Sequence, residues 1–193
     1  LILQVQEPTA GKTTYTLKWN ELRTAVSTDE SRIAAEALFS EAEELCAEWK
    51  AEPMSQAIQK YSAANELWRE IHELHNVGNT ARKMGRTYFF LGELSKAQEQ
   101  YKRAAQISRD NEDWEILAQV LNDWCYLDLE SNQIGEAQNK GVEIYNIGQR
   151  INNLKISALA TAHLNEIESN HEPARTLSSY EKLLQFWHST PRK

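Results

Sequence analysis

From about residue 28 onwards, apolar residues return every three or four positions. Ala34, Ala35, Leu38, Phe39, Ala42 and Leu45 form the first such stripe, the pattern of an amphipathic helix with one buried face. Ser27-Thr28-Asp29-Glu30 ahead of it reads as a helix start, with Ser27 as the cap and a glutamate three residues on. Pro53 and Pro173 stand where a first helical turn tolerates proline, and Gly92 separates two further stripes. The first 20 residues follow another rule. Leu1 to Gln6 is β-prone, Tyr15, Leu17 and Trp19 alternate with polar residues, and Glu7 to Thr13 carries turn residues. Two strands alone are marginal in water. The hairpin therefore reads as the C-terminal remnant of a truncated β-domain, or as a flap packed on the first helix.

The helical part repeats. Ala57, Tyr61 and Ala64 have the same spacing as Ala97, Tyr101 and Ala104, 40 residues later. Ala137 follows after another 40, with Gly141 and Ile144 in place of the tyrosine and alanine, and Ala174 after 37. Around the second copy stand Gly85, Tyr88 and Gly92. The six residues Gly85, Tyr88, Gly92, Ala97, Tyr101 and Ala104 resemble the tetratricopeptide repeat (TPR). That pattern has small residues where two helices of a hairpin cross and aromatics beside them. The family's usual period is 34, so the helices here are longer, and the first unit has about three extra residues near Lys50 to Ser55. Units three and four depart from the pattern, with Cys125 and Asp128, then Ala162 and Asn165, at its small and aromatic positions. The resemblance implies an all-α, right-handed solenoid of about four TPR-like helix hairpins, preceded by the N-terminal β-hairpin. The array is expected over 28–188, in units of about 28–72, 76–110, 112–150 and 153–188.

A narrower likeness lies in Ser55 to Tyr61, with Ala64 and the ending Leu67-Trp68-Arg69. This run resembles the repeat arrays of bacterial proteins that end in a CHAT (caspase-like) peptidase domain. It implies a helical arm upstream of a peptidase that is absent from this chain. The chain opens on Leu1 and stops at Lys193 after a helical pattern, and so reads as a piece of a longer protein. Its compartment, bacterial cytoplasm or cell envelope, is not readable from such termini.

In the TPR fold the first helix of each hairpin lines the concave face. The repeat register places Asn79, Arg82, Arg86 and Phe89 there in unit two. Gln119, Asn122, Tyr126 and Leu129 take those places in unit three, and His163 in unit four. Two guanidinium groups, two asparagines and several aromatic faces suit an extended peptide or an acidic helix, because arginine grips carboxylates in a bidentate way. The expected partner is thus a protein or peptide, and no catalytic, cofactor or metal residue is assigned. The expected function is a protein–protein interaction scaffold, or a regulatory or substrate-recruiting arm of a CHAT-type peptidase in the same parent chain.

Charge and composition narrow this reading. A net charge of −7 argues against nucleic acid as a partner, since phosphate demands a basic face. No apolar run approaches the roughly 18 residues that span a bilayer. Cys46 and Cys125 are far apart and read as small apolar fillers. Ala10 to Thr14 lacks the first glycine of a phosphate-binding loop, with Gln6 at that place. His72 and His75 are three apart, not four as in the zinc peptidase motif, and no third ligand is evident. Glu41, Glu43, Glu44 and Glu48 read as the solvated face of a long helix. Trp68 and Trp124 fall on apolar stripes, and Trp114 follows an acidic turn at a unit junction.

Overall fold

The computed structural model describes residues 3–5, 17–19 and 26–171. The hairpin expected over 1–20 falls largely outside them. Only Leu3–Val5 and Leu17–Trp19 are placed, as an antiparallel pair too short to establish that unit. The helix expected from Pro173 onwards also lies outside the described residues.

From residue 26 the fold is all-helical. The helices are α1 (Ser27–Ala47), α2 (Ala51–Glu70), α3 (Leu74–Phe90), α4 (Leu94–Asp110), α5 (Trp114–Glu130), α6 (Ile134–Arg150) and α7 (Leu154–His171). Each packs on its neighbours in sequence, and α3 also touches α5. This is a helical-repeat-like architecture. Among the described residues, no helix is long and apolar enough to cross a membrane.

The turns carry a stricter period than the apolar stripes. His72, Gly92, Glu112, Asn132 and Asn152 all have positive φ (59°, 75°, 53°, 57° and 52°). They are evenly spaced along the chain, one in each linker after α2. In each, the residue after the left-handed one donates its N–H five residues back, as Glu93 does to the Tyr88 carbonyl at 2.9 Å and Gln133 to the Asp128 carbonyl at 2.7 Å. The left-handed residue itself donates three back, as Gly92 does to Phe89 at 3.0 Å. These bonds satisfy carbonyls that a helix end otherwise leaves open, and they reverse the chain within a short turn. Glycine suits the left-handed place best and asparagine next, so His72 and Glu112 hold it against about 1 kcal/mol of steric cost.

Small residues set the helix crossings. Ala57, Ala97 and Ala137 are all fully buried, as the repeat demands. A Cβ on Gly85 would lie 2.6 Å from the ring of Tyr101, which is itself fully buried. That glycine is what lets α3 and α4 close around the tyrosine. Unit three puts charge where unit two has its first aromatic. Asp128 takes the place that Tyr88 holds one repeat earlier, and Lys140 reaches it from α6, Nζ to Oδ2 2.6 Å. The Lys140 ammonium also sits 4.4 Å from the Trp124 ring centroid.

Two expectations are corrected. The cap of α1 is Val26, one residue before Ser27, and its N–H donates to Asp29 Oδ2 at 2.9 Å. Helix α7 keeps the full repeat offset from α5, not the shorter one that set Ala162 in the place of Cys125, while Ala174 lies outside the described residues. His163 therefore occupies the place of Lys83 and Asp123, not that of Arg86 and Tyr126. The shorter step misled because it paired alanines, the commonest helix residues, without an aromatic to fix the register.

Candidate binding surface

The first helices of successive hairpins are α1, α3, α5 and α7. Being one repeat apart, they run side by side, and residues in equivalent places meet. Glu43 of α1 accepts hydrogen bonds from Lys83 of α3 and from Tyr61 of α2. Cys46 Sγ lies 3.4 Å from Thr87 Oγ1. Arg82 of α3 donates from Nη1 to Asp123 Oδ2 of α5 at 2.9 Å. Asn122 of α5 meets His163 of α7, Oδ1 to Nε2 2.7 Å. A ladder of polar rungs thus ties each hairpin to the next.

Burial sets the electrostatics of these rungs. It works against the charge on Glu43, but hydrogen bonds from Lys83 and Tyr61, with the positive field of Lys83, outweigh it and hold the carboxyl below its ordinary pKa. For Asp123 burial wins. Its pKa is raised although Arg82 and Arg86 both pull it down. Burial also raises Asp128, opposed by Lys140, and Tyr101.

The expected groove residues divide into two groups. Arg82, Gln119 and Asn122 line one cleft of about 90 Å³, together with Asp123 of α5 and Leu159 of α7. Tyr126 and His163 meet each other ring edge to ring face, with centroids 4.9 Å apart. Arg82 is buried and held by Asp123, and its Nη2 also lies 3.3 Å from Asn79 Oδ1. It acts as a brace. His163 is buried as well. The exposed groups of this part are Gln119, Tyr126 and Leu159.

The second group lies at the C-terminal end of α3. Arg86 keeps about two-fifths of its side chain exposed, with Nε 3.9 Å from Asp123. Its guanidinium lies 5.9 Å from the Phe90 ring centroid. Phe90 meets Phe89 on one side and Trp49 on the other, edge to face at 5.7 and 5.0 Å. Trp49 is 68% exposed and Phe90 46%. Trp49 also has φ 53°, a conformation that bulky residues rarely adopt. Tryptophan, phenylalanine and arginine are residues enriched at protein interfaces, and tryptophan and arginine lead in binding energy there.

Sequence reasoning missed Asp123, Trp49 and Phe90. Asp123 had a signal: it is an acid one repeat and one residue beyond Arg82. Trp49 and Phe90 had none short of the turn geometry that brings the α1–α2 linker over α3. Other residues fall into structural places. Glu41, Glu44 and Glu48 are exposed, while Glu43 is half-buried and braces α3. His72 is in a turn and His75 opens α3, with Nδ1 2.6 Å from Asp113 Oδ2, so they do not share a helix face. Cys125 is fully buried. Trp114 stacks under Arg150, whose Cζ is 3.9 Å from the ring centroid.

No protein family matches the chain by sequence, and no curated protein matches it significantly. Solved structures do match. One is the crystal structure of BtubC (BKLC) from P. vanneervenii, with a TM-score of 0.51 at 15% identity over 87% of this chain and 76% of that one. At that identity the likeness shows the fold alone. Fold and surface together define an all-helical, repeat-like array with a polar inter-hairpin ladder and an exposed aromatic and cationic cluster.

Proposed function

We propose that this chain is a TPR-like right-handed solenoid working as a protein–protein interaction scaffold, with no catalytic step of its own. The face of α1, α3, α5 and α7 would be its concave side and would receive a peptide or protein partner. One observation carries the reading. The ladder immobilises the buried polar groups of this face, while Trp49, Phe90 and Arg86 remain exposed in contact with one another.

The cluster suits a partner segment that presents an apolar or aromatic side chain next to a carboxylate. Trp49 and Phe90 would cover the apolar group, and Arg86 would pair with the acid. Gln119 and Tyr126 extend the same face and could pair with the partner's backbone. Arg82 would contribute only by holding α5 in register.

The test is comparative retention from a lysate of the source cells. The wild-type chain is compared with Trp49→Ala/Phe90→Ala and with Arg86→Glu, each checked by circular dichroism. A partner held by the wild type and lost by both variants is the expected result. Identical retention by all three would remove this face from the argument.

A further inference from the structure

A second surface lies away from that face. Arg69 at the end of α2, and Lys102 and Arg103 on α4, surround an open notch of about 610 Å³. Its floor is apolar: Leu74 and Val77 from the start of α3 and Ile107 from α4. Leu74 is 43% exposed. Helices α2 and α4 flank α3, whose first turn lies between them.

The charge pattern of the notch stands out from the rest of the molecule. Most cations between residues 26 and 171 have an acidic neighbour: Arg32 with Glu73, Lys60 with Glu41, Arg82 with Asp123, Arg109 with Glu143 and Lys140 with Asp128 are examples. Among the described residues, Arg69, Lys102 and Arg103 have no ion pair. Arg150 and Lys155 share that state, but Arg150 is stacked on Trp114. A chain with net charge −7 supplies ample acid to neutralise its cations. Three unneutralised ones around one apolar floor are therefore a concentrated exception.

We infer that the notch between α2 and α4 docks an acidic, amphipathic segment of a protein partner. Apolar side chains of that segment cover Leu74, Val77 and Ile107, and its carboxylates pair with Arg69, Lys102 and Arg103. The rim also carries Glu99 and Gln106. Glu99 repels a uniformly anionic polymer, and among the described residues no aromatic ring lines the notch for a base to stack on. A phosphate backbone is therefore a poor match, whereas an alternation of acid and leucine matches both floor and rim. The inference is independent of the Trp49–Phe90–Arg86 surface.

The probe is a fluorescently labelled helical peptide of about twelve residues, long enough for three turns. It carries leucines on one face and glutamates elsewhere, and its anisotropy is followed against the 193-residue chain. Arg69→Glu/Lys102→Glu/Arg103→Glu is expected to weaken binding at least about tenfold, since each rim pair contributes modestly and three are reversed. Leu74→Ser is expected to weaken it with every charge intact. Lys155→Glu is expected to leave it unchanged, and every titration is repeated in the Arg86→Glu background so that the Trp49–Phe90–Arg86 surface does not contribute. The substituted residues are exposed, so circular dichroism should match the wild type. Any of these outcomes overturns the inference: no binding, equal binding by the triple variant, equal binding of a peptide with lysines in place of the glutamates, or tighter binding of single-stranded DNA. Self-association of the chain that the triple variant abolishes would seat a second copy in the notch, and it too would overturn the assignment.

Discussion

Replacing Lys140 by methionine removes one charge from a pair that water barely reaches. Asp128 has a side-chain exposure of 1% and Lys140 of 10%, with 2.6 Å between Nζ and Oδ2. Methionine nearly matches the lysine stem in volume, so the packing loss is small. What remains is a buried carboxylate beside Glu136, whose nearest carboxylate oxygen is 3.6 Å from the lost ammonium. Breaking such a pair from one side costs about 3–5 kcal/mol, whereas replacing both partners with apolar residues of similar size is often close to neutral. Lys140→Met should therefore lower the free energy of unfolding by about 3 kcal/mol or more. Asp128→Leu/Lys140→Met should recover most of that loss. The sign with pH also follows. Burial raises the Asp128 pKa in the folded state, so the penalty for its charge exists above that pKa and fades as the pH falls towards the ordinary carboxylate value. Without Lys140 the folded pKa rises further. The gap between Lys140→Met and wild type should therefore narrow on going from neutral to mildly acidic solution. Urea titrations followed by circular dichroism at several pH values measure both effects. A single-variant loss below about 1 kcal/mol, the level of an exposed pair, would refute the claim that this ion pair replaces the tyrosine of unit two.

Further expectations concern the turns, the crossing glycine and the acid limb. Glu112→Gly should raise stability by about 1 kcal/mol because glycine adopts φ 53° without a Cβ clash, whereas Gly92→Val should lower it by a similar amount or more; thermal melts of the two variants check both signs. Gly85→Ala forces a Cβ to within 2.6 Å of the Tyr101 ring, which is boxed in, and should cost about 1–3 kcal/mol, with Tyr101→Leu in the same background recovering part of it. Glu43 has its folded pKa depressed, so its stabilising contribution is present above the ordinary glutamate value and lost as the pH falls through the folded one. Lys83→Met should therefore flatten the acid side of the stability curve near pH 4, and an unchanged slope would remove Glu43 from the ladder.

Much of the helical architecture was legible because its causes are local or periodic. Buried alanines at 57, 97 and 137 mark where helices cross, and small residues recurring at that fixed interval are what stacked hairpins of equal length require. The even spacing of the turns was less visible. Only Gly92 announces a left-handed turn outright, while Asn132 and Asn152 are common in loops and His72 and Glu112 are poor residues for that place. Their conformation is imposed by the helices on either side, so composition does not report it. The α1 cap was misplaced by one residue because serine is the better capping side chain in isolation. Here Asp29 reaches back to Val26 instead.

The candidate surface was legible in position but not in role. Register alone put Asn79, Arg82, Asn122 and Tyr126 on the faces of neighbouring first helices, and of these Arg82 and Asn122 hydrogen-bond to the next first helix, at Asp123 and His163. It could not say which side chains hold the array together. That depends on the partner one repeat away, and the residue paired with a given rung changes from repeat to repeat: lysine with glutamate, arginine with aspartate, asparagine with histidine. A polar group engaged in a buried rung has little capacity left for a ligand, because withdrawing it leaves its partner unpaired in a dry place. On this reasoning Arg82 and His163 are structural, and the groups open to a partner are those the ladder leaves over. They fall in two places, Arg86 with its aromatic neighbours on one surface and Arg69, Lys102 and Arg103 on another. An array built this way separates cohesion from recognition. Charge reversal at Arg69, Lys102 and Arg103 should change binding without changing stability, substitution of Arg82 or Asp123 should do the opposite first, and Arg86, which also faces Asp123, should show both effects.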